Sequence, residues 1–65
     1  MAHVERDLRK IKDRLKGEGW LILRNDGDHT VYHHPDKKGR VIVPKGRGDL
    51  PTGTANSIAK SAGWA

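Results

Sequence analysis

The chain has 65 residues, with 13 Lys and Arg against 8 Asp and Glu, a net charge of +5 at pH 7, and no cysteine. That length holds one small domain, residues 1–65, with a modest core, because a chain of about 60 residues buries only about 60% of its unfolded surface. The composition excludes a disulfide framework, and no apolar run approaches the roughly 20 residues of a membrane span or forms a secretory segment, so the expectation is a cytoplasmic protein without membrane contact.

Val4, Leu8, Ile11 and Leu15 recur at helical spacing and predict an amphipathic helix over residues 4–16, stopped by Gly17 or Gly19. No clear N-cap precedes it. Arg6, Lys10 and Arg14 line one flank of the apolar stripe, and Arg9, Lys12 and Lys16 line the other. Such flanks serve either as solvated faces or as surfaces for RNA phosphate or an acidic partner. Trp20-Leu21-Ile22-Leu23-Arg24 is a β-prone run closed by Asn25-Asp26-Gly27, with Trp20 expected in the core. Residues 29–34 form a second strand, and Asp26-Gly27 predicts a hairpin between the two. Pro35-Asp36-Lys37-Lys38-Gly39 reads as the next turn, residues 40–43 as a third strand ended by Pro44, and residues 45–49 as a flexible basic loop.

Pro51 suits the first turn of a final helix, with Asp49 or Thr52 as its cap. Ala55, Ile58, Ala59 and Ala62 share one face of that helix, Gly63 closes it, and Trp64 folds back onto its end. The order is α-β-β-β-α. It predicts an α+β fold with a three-stranded antiparallel sheet, both helices on one face, and the other face open to solvent or a partner.

Four histidines raise the question of a metal. His29 and His33 share a strand face but stand roughly 13 Å apart, too far for one zinc ion. His33 and His34 point to opposite faces, and His3 lies near the start of the chain. These spacings argue against a metal centre. Ser57 and Ser61 lie on a helix without a nucleophile elbow, and Gly46, Gly48 and Gly53 lack the spacing of a phosphate-binding loop. Acid–base chemistry on RNA is what is left. A ribose 2′-hydroxyl attacks its own phosphodiester once a base takes its proton, imidazole does this near neutral pH, and a cation must stabilise the charge that develops. His29, beside a glycine turn, is the candidate acid or base, and Lys37, Lys38, Lys45 and Arg47 are the candidate phosphate-binding cations. A purely structural role is the plainer reading of a single strand histidine.

Taken in order, Gly19-Trp20, Leu23-Arg24, Gly27-Asp28-His29, Tyr32, His34-Pro35, Val41, Val43-Pro44, Leu50-Pro51, Gly53-Thr54, Ser57-Ile58, Lys60 and Ala62-Gly63 make a pattern spanning nearly the whole chain. It resembles the HicA family of toxins from bacterial and archaeal toxin–antitoxin systems. The resemblance implies a fold like that of double-stranded RNA-binding domains. It also implies a metal-independent endoribonuclease, without cofactor, that cleaves mRNA to arrest translation and growth. The family's catalytic histidine falls in a Gly-Ser-His segment, whose place His29 occupies. The implied partner is a HicB-like antitoxin that covers the catalytic surface. The chain departs from the pattern at Asp28, which replaces the usual serine, and at Thr30. A carboxylate at Asp28 either orients the imidazole or repels phosphate.

The alternative is a non-catalytic double-stranded RNA-binding module. Such modules carry a basic cluster at the start of their last helix, whereas residues 50–55 contain no cation.

Overall fold

The computed structural model describes residues 4–64, so His3 lies outside the described residues. In chain order the elements are α1 (Leu8–Gly17), β1 (Leu21–Asn25), β2 (His29–His34), β3 (Lys37–Pro44) and α2 (Thr52–Ala62). The strands make one antiparallel sheet in the order β1-β2-β3, as the sequence predicts. No described helix is long and apolar enough to cross a membrane.

α1 begins later than the apolar spacing suggests, because Asp7 supplies the cap that the sequence reading missed. In an extended conformation (φ −70°, ψ 115°), its carboxylate accepts the amides of Arg9 at 2.9 Å and Lys10 at 3.3 Å, two of the donors a helix start leaves without partners. Val4 still packs, partly buried, against the core. At the other end Gly19, not Gly17, stops the helix. It takes φ 93°, its amide donates to Lys16 O, and the Trp20 amide donates to Leu15 O at 2.9 Å, a closure that favours glycine.

The core joins Leu8, Ile11 and Leu15 of α1 to Trp20, to Tyr32, Val41 and Val43 of the sheet, to Leu50, and to Ala55, Ile58 and Ala62 of α2. Tyr32 pairs with Val41 and Thr30 with Val43, so alternate residues of β2 and β3 face both helices on one side. Trp20 is in the core, but the strand after it is not. Leu21, Ile22 and Leu23 are 53%, 51% and 42% exposed, and Ile42 is 55% exposed. Trp20 is buried because the α1 closure folds it under the helix; β1 is an outer strand at the sheet edge.

β3 starts at Lys37 rather than after Gly39. The turn tightens onto Pro35-Asp36 because the His34 side chain closes it, Nδ1 accepting the Asp36 amide at 3.0 Å, and His34 pairs directly with Lys37. Neither Asp49 nor Thr52 caps α2. Pro51 precedes it with no side-chain cap, while the Asp49 backbone is engaged with that of Asp7. Gly63 ends α2 at φ 81°, and the Trp64 amide folds back to Ala59 O at 2.7 Å.

Candidate functional site

His29 opens β2 directly after the turn Asp26-Gly27-Asp28. Reciprocal backbone bonds between Asp26 and His29 (2.8 and 3.3 Å) close that turn, and the Lys45 amide donates to Asp28 O at 3.0 Å, tying it to the end of β3. His29 also pairs with Pro44. These bonds fix the backbone that carries the imidazole. The ring's Nε2 lies 3.2 Å from Asp26 Oδ2, and the same oxygen lies 3.3 Å from Arg24 Nε. The carboxylate that orients His29 is therefore Asp26, three residues before it, and not Asp28. A hairpin turn brings its first and fourth residues together, which the neighbour-in-sequence reading overlooked.

His29 opens into a pocket of about 430 Å³, lined by Asp28, Arg40, Ile42 and Pro44 from the sheet side and by Thr54, Ser57, Ile58 and Ser61 from α2. The three hydroxyl residues sit at i, i+3 and i+7, so α2 turns one polar stripe toward the imidazole while its alanine face packs on the core. An imidazole, a guanidinium and several hydroxyls surround one small hollow, with the Asp28 carboxylate on the same wall; together they supply one proton acceptor, one cation and neutral hydrogen-bond donors, the groups that phosphodiester chemistry uses. Sequence reasoning missed Arg40 as a site residue. The hydroxyl spacing on the outer face of α2 was the available signal.

The four cations expected around His29 separate into two groups. Lys37 and Lys38 begin β3 opposite His34, roughly 16 Å along β2 from His29 at about 3.3 Å per residue. Lys37 there places its Nζ 5.7 Å over the Trp20 ring. Lys45 and Arg47 lie nearer the His29 turn but face a different hollow, a cleft of about 630 Å³ whose opposite wall carries Arg9, Lys12 and Lys16 of α1. The site as expected thus becomes two concavities on either side of the seam between residues 28–29 and 44–45.

The other histidines of β2 have different surroundings. His33 pairs with Leu21. His34 donates or accepts with both ring nitrogens, Nε2 meeting Glu18 O at 2.9 Å and Nδ1 meeting the Asp36 amide, and it packs edge-on to Trp20 at 5.2 Å. Among the described residues no cluster of three His, Asp or Glu side chains converges as a metal site. Glu18 gathers the same corner. Its carboxyl is held below the usual carboxylate range by the Trp64 Nε1–H (2.7 Å) and then by Arg14 Nε (3.0 Å). Burial pushes the Tyr32 phenol up, so it stays protonated at neutral pH.

Among curated proteins, no sequence matches this chain closely. The family model described as the HicA toxin of bacterial toxin-antitoxin matches residues 8–64, from the first residue of α1 to the tryptophan that folds back on α2. The chain therefore belongs to the HicA toxin family of bacterial toxin–antitoxin systems.

Proposed function

We propose that this toxin is a metal-independent endoribonuclease that cleaves mRNA in the cytoplasm and is neutralised by a HicB-like antitoxin. The observation that supports it best is the setting of His29, an oriented imidazole at the mouth of a pocket that also holds Arg40 and the α2 hydroxyls. With Nε2 turned toward the Asp26 carboxylate, Nδ1 is the ring nitrogen that serves as proton acceptor. Nδ1 takes the proton of a ribose 2′-hydroxyl, and the 2′-oxygen attacks the adjacent phosphorus. Arg40 stabilises the added negative charge on the phosphoryl oxygens. The P–O5′ bond breaks, the leaving 5′-oxygen takes a proton from solvent water, the imidazole returns its proton to solvent, and the products are a 2′,3′-cyclic phosphate and a 5′-hydroxyl. Positioned proton transfer of this kind accounts for about 10²–10⁴ in rate.

The test is cleavage of a long single-stranded RNA with EDTA present, beside His29→Ala. Cutting by the parent with loss of about 10² or more in the variant supports the reading. Equal cutting by both removes His29 from the chemistry. RNA bound but cut by neither would make the protein a binding module.

A further inference from the structure

We propose that the cleft between α1 and the loop after β3 is a track for single-stranded RNA that leads the strand to His29; this rests on the ribonuclease reading above. Arg9, Lys12 and Lys16 form one wall, Lys45 and Arg47 the other, with Asp13 the one acid among the lining residues. On α1 the three cations rise by about 4.5 and 6 Å along the axis, a ladder that successive phosphates of a flexible strand can follow.

The walls are held in place. Leu8 N–H donates to Gly48 O at 3.0 Å, Leu50 N–H to Arg6 O at 2.8 Å, and Arg6 Nε to Leu50 O at 2.7 Å. Gly48 takes φ 84°, so the loop expected to be flexible is laced to the start of α1. A backbone frame fixed before the ligand arrives has less left to order on binding.

The floor fits bases rather than an extended acidic peptide. Exposed Ile22 offers apolar surface beside Asn25, over the buried Tyr32. The Asn25 Oδ1 accepts from Thr30 Oγ1 at 2.8 Å, which leaves its amide N–H groups to read a base edge. A cleft of about 630 Å³ takes a few nucleotides of one strand, not a duplex, and the start of α2 carries no cation to span a groove. The track also ends at the right place. Lys45, in the cleft, directly follows Pro44, which pairs with His29 and lines its pocket, so the cleft runs up to the strand end that carries the imidazole.

The experiment measures binding of a fluorescent single-stranded RNA to His29→Ala protein across a salt series, with two further double variants in that background. Lys12→Ala/Lys16→Ala removes two cations from the cleft. Lys10→Ala/Lys60→Ala removes two exposed cations outside it. Removing one phosphate contact flattens the slope of log affinity against log salt by about 0.7 for a single strand. The cleft pair is expected to lower affinity by about tenfold or more and the slope by about 1.4, and the outside pair to leave the slope near that of the parent. Equal slopes in the two doubles, while the protein with His29 intact still cuts RNA, overturn the track and leave the ribonuclease standing. A cleft effect without any cutting by the protein with His29 intact keeps the track and overturns the ribonuclease. Duplex RNA bound as tightly as single strand, or a cleft variant that loses the antitoxin but not RNA, also overturns the proposal.

Discussion

His29 and His34 stand at the two ends of one strand, and the difference between them is a matter of hydrogen-bond saturation. His34 spends both ring nitrogens on backbone groups, Glu18 O and the Asp36 amide, and one ring edge on Trp20. Nothing of it is left for a ligand. His29 spends one nitrogen on a carboxylate that is itself 40% exposed and presents the rest of the ring to a pocket. One histidine joins the helix end, strand and turn; the other is held by them and offered outward. Residue type and strand are the same in the two cases, so surroundings decide which imidazole is structural.

The largest effect that sharpens this contrast is on catalysis. His29→Ala is expected to cost about 10²–10⁴ in cleavage rate with an unchanged denaturation midpoint, since its ring is partly exposed and its fixed backbone bonds survive the change. Arg40→Ala comes next. If the guanidinium meets charge that develops only in the transition state, kcat falls roughly a hundredfold and KM moves little. A rise in KM alone would instead place Arg40 in ground-state binding, with the cations of the α1 cleft.

His34→Ala reverses the pattern. It removes two hydrogen bonds and the packing against Trp20 while leaving the His29 end intact. The expected outcome is a loss of about 1–2 kcal/mol of stability, seen as a lower denaturant midpoint at unchanged slope, with full cleavage at a temperature where the variant is folded. Loss of cleavage in a folded His34→Ala protein would break the comparison.

Much of the fold was legible because it follows from periodicity and punctuation. The stripe of Leu8, Ile11 and Leu15, the alanine face of α2 and the glycines at 19 and 63 each signal locally. The errors came where a side chain closed a turn at short range. Asp7 capping α1, His34 closing the turn at Pro35-Asp36, and Asp26 meeting His29 depend on geometry that pattern counting does not contain. The candidate site reads in the sequence as a histidine and a basic surface, but not as two hollows. Arg9, Lys12 and Lys16 belong with Lys45 and Arg47 only because Leu8 and Leu50 bond α1 to the distant loop, and nothing in the sequence marks that pairing. Lys37 and Lys38 looked close to His29 in sequence; an antiparallel hairpin carries them to the far end.

The smallest effect tests the structural end of the strand through its pH dependence. Glu18 holds His34 with its carbonyl, and Trp64 and Arg14 with its carboxylate, while Arg14 also lies 4.2 Å over the Trp64 ring. The carboxyl is depressed in the folded protein, chiefly by the Trp64 bond and then by Arg14. A depressed acid stabilises the fold above its unfolded pKa, around pH 4, and that contribution is lost as pH falls through the lower folded value. Because the group is exposed, the gain is about a few tenths of a kcal/mol. Glu18→Gln should therefore lie below the parent in midpoint between pH 6 and 8 by a small margin, and the two should converge as the pH drops below roughly 4. A gap that persists into acid would mean that the Trp64 and Arg14 contacts act through packing and neutral hydrogen bonding. The clasp around His34 would then not need the charge at all.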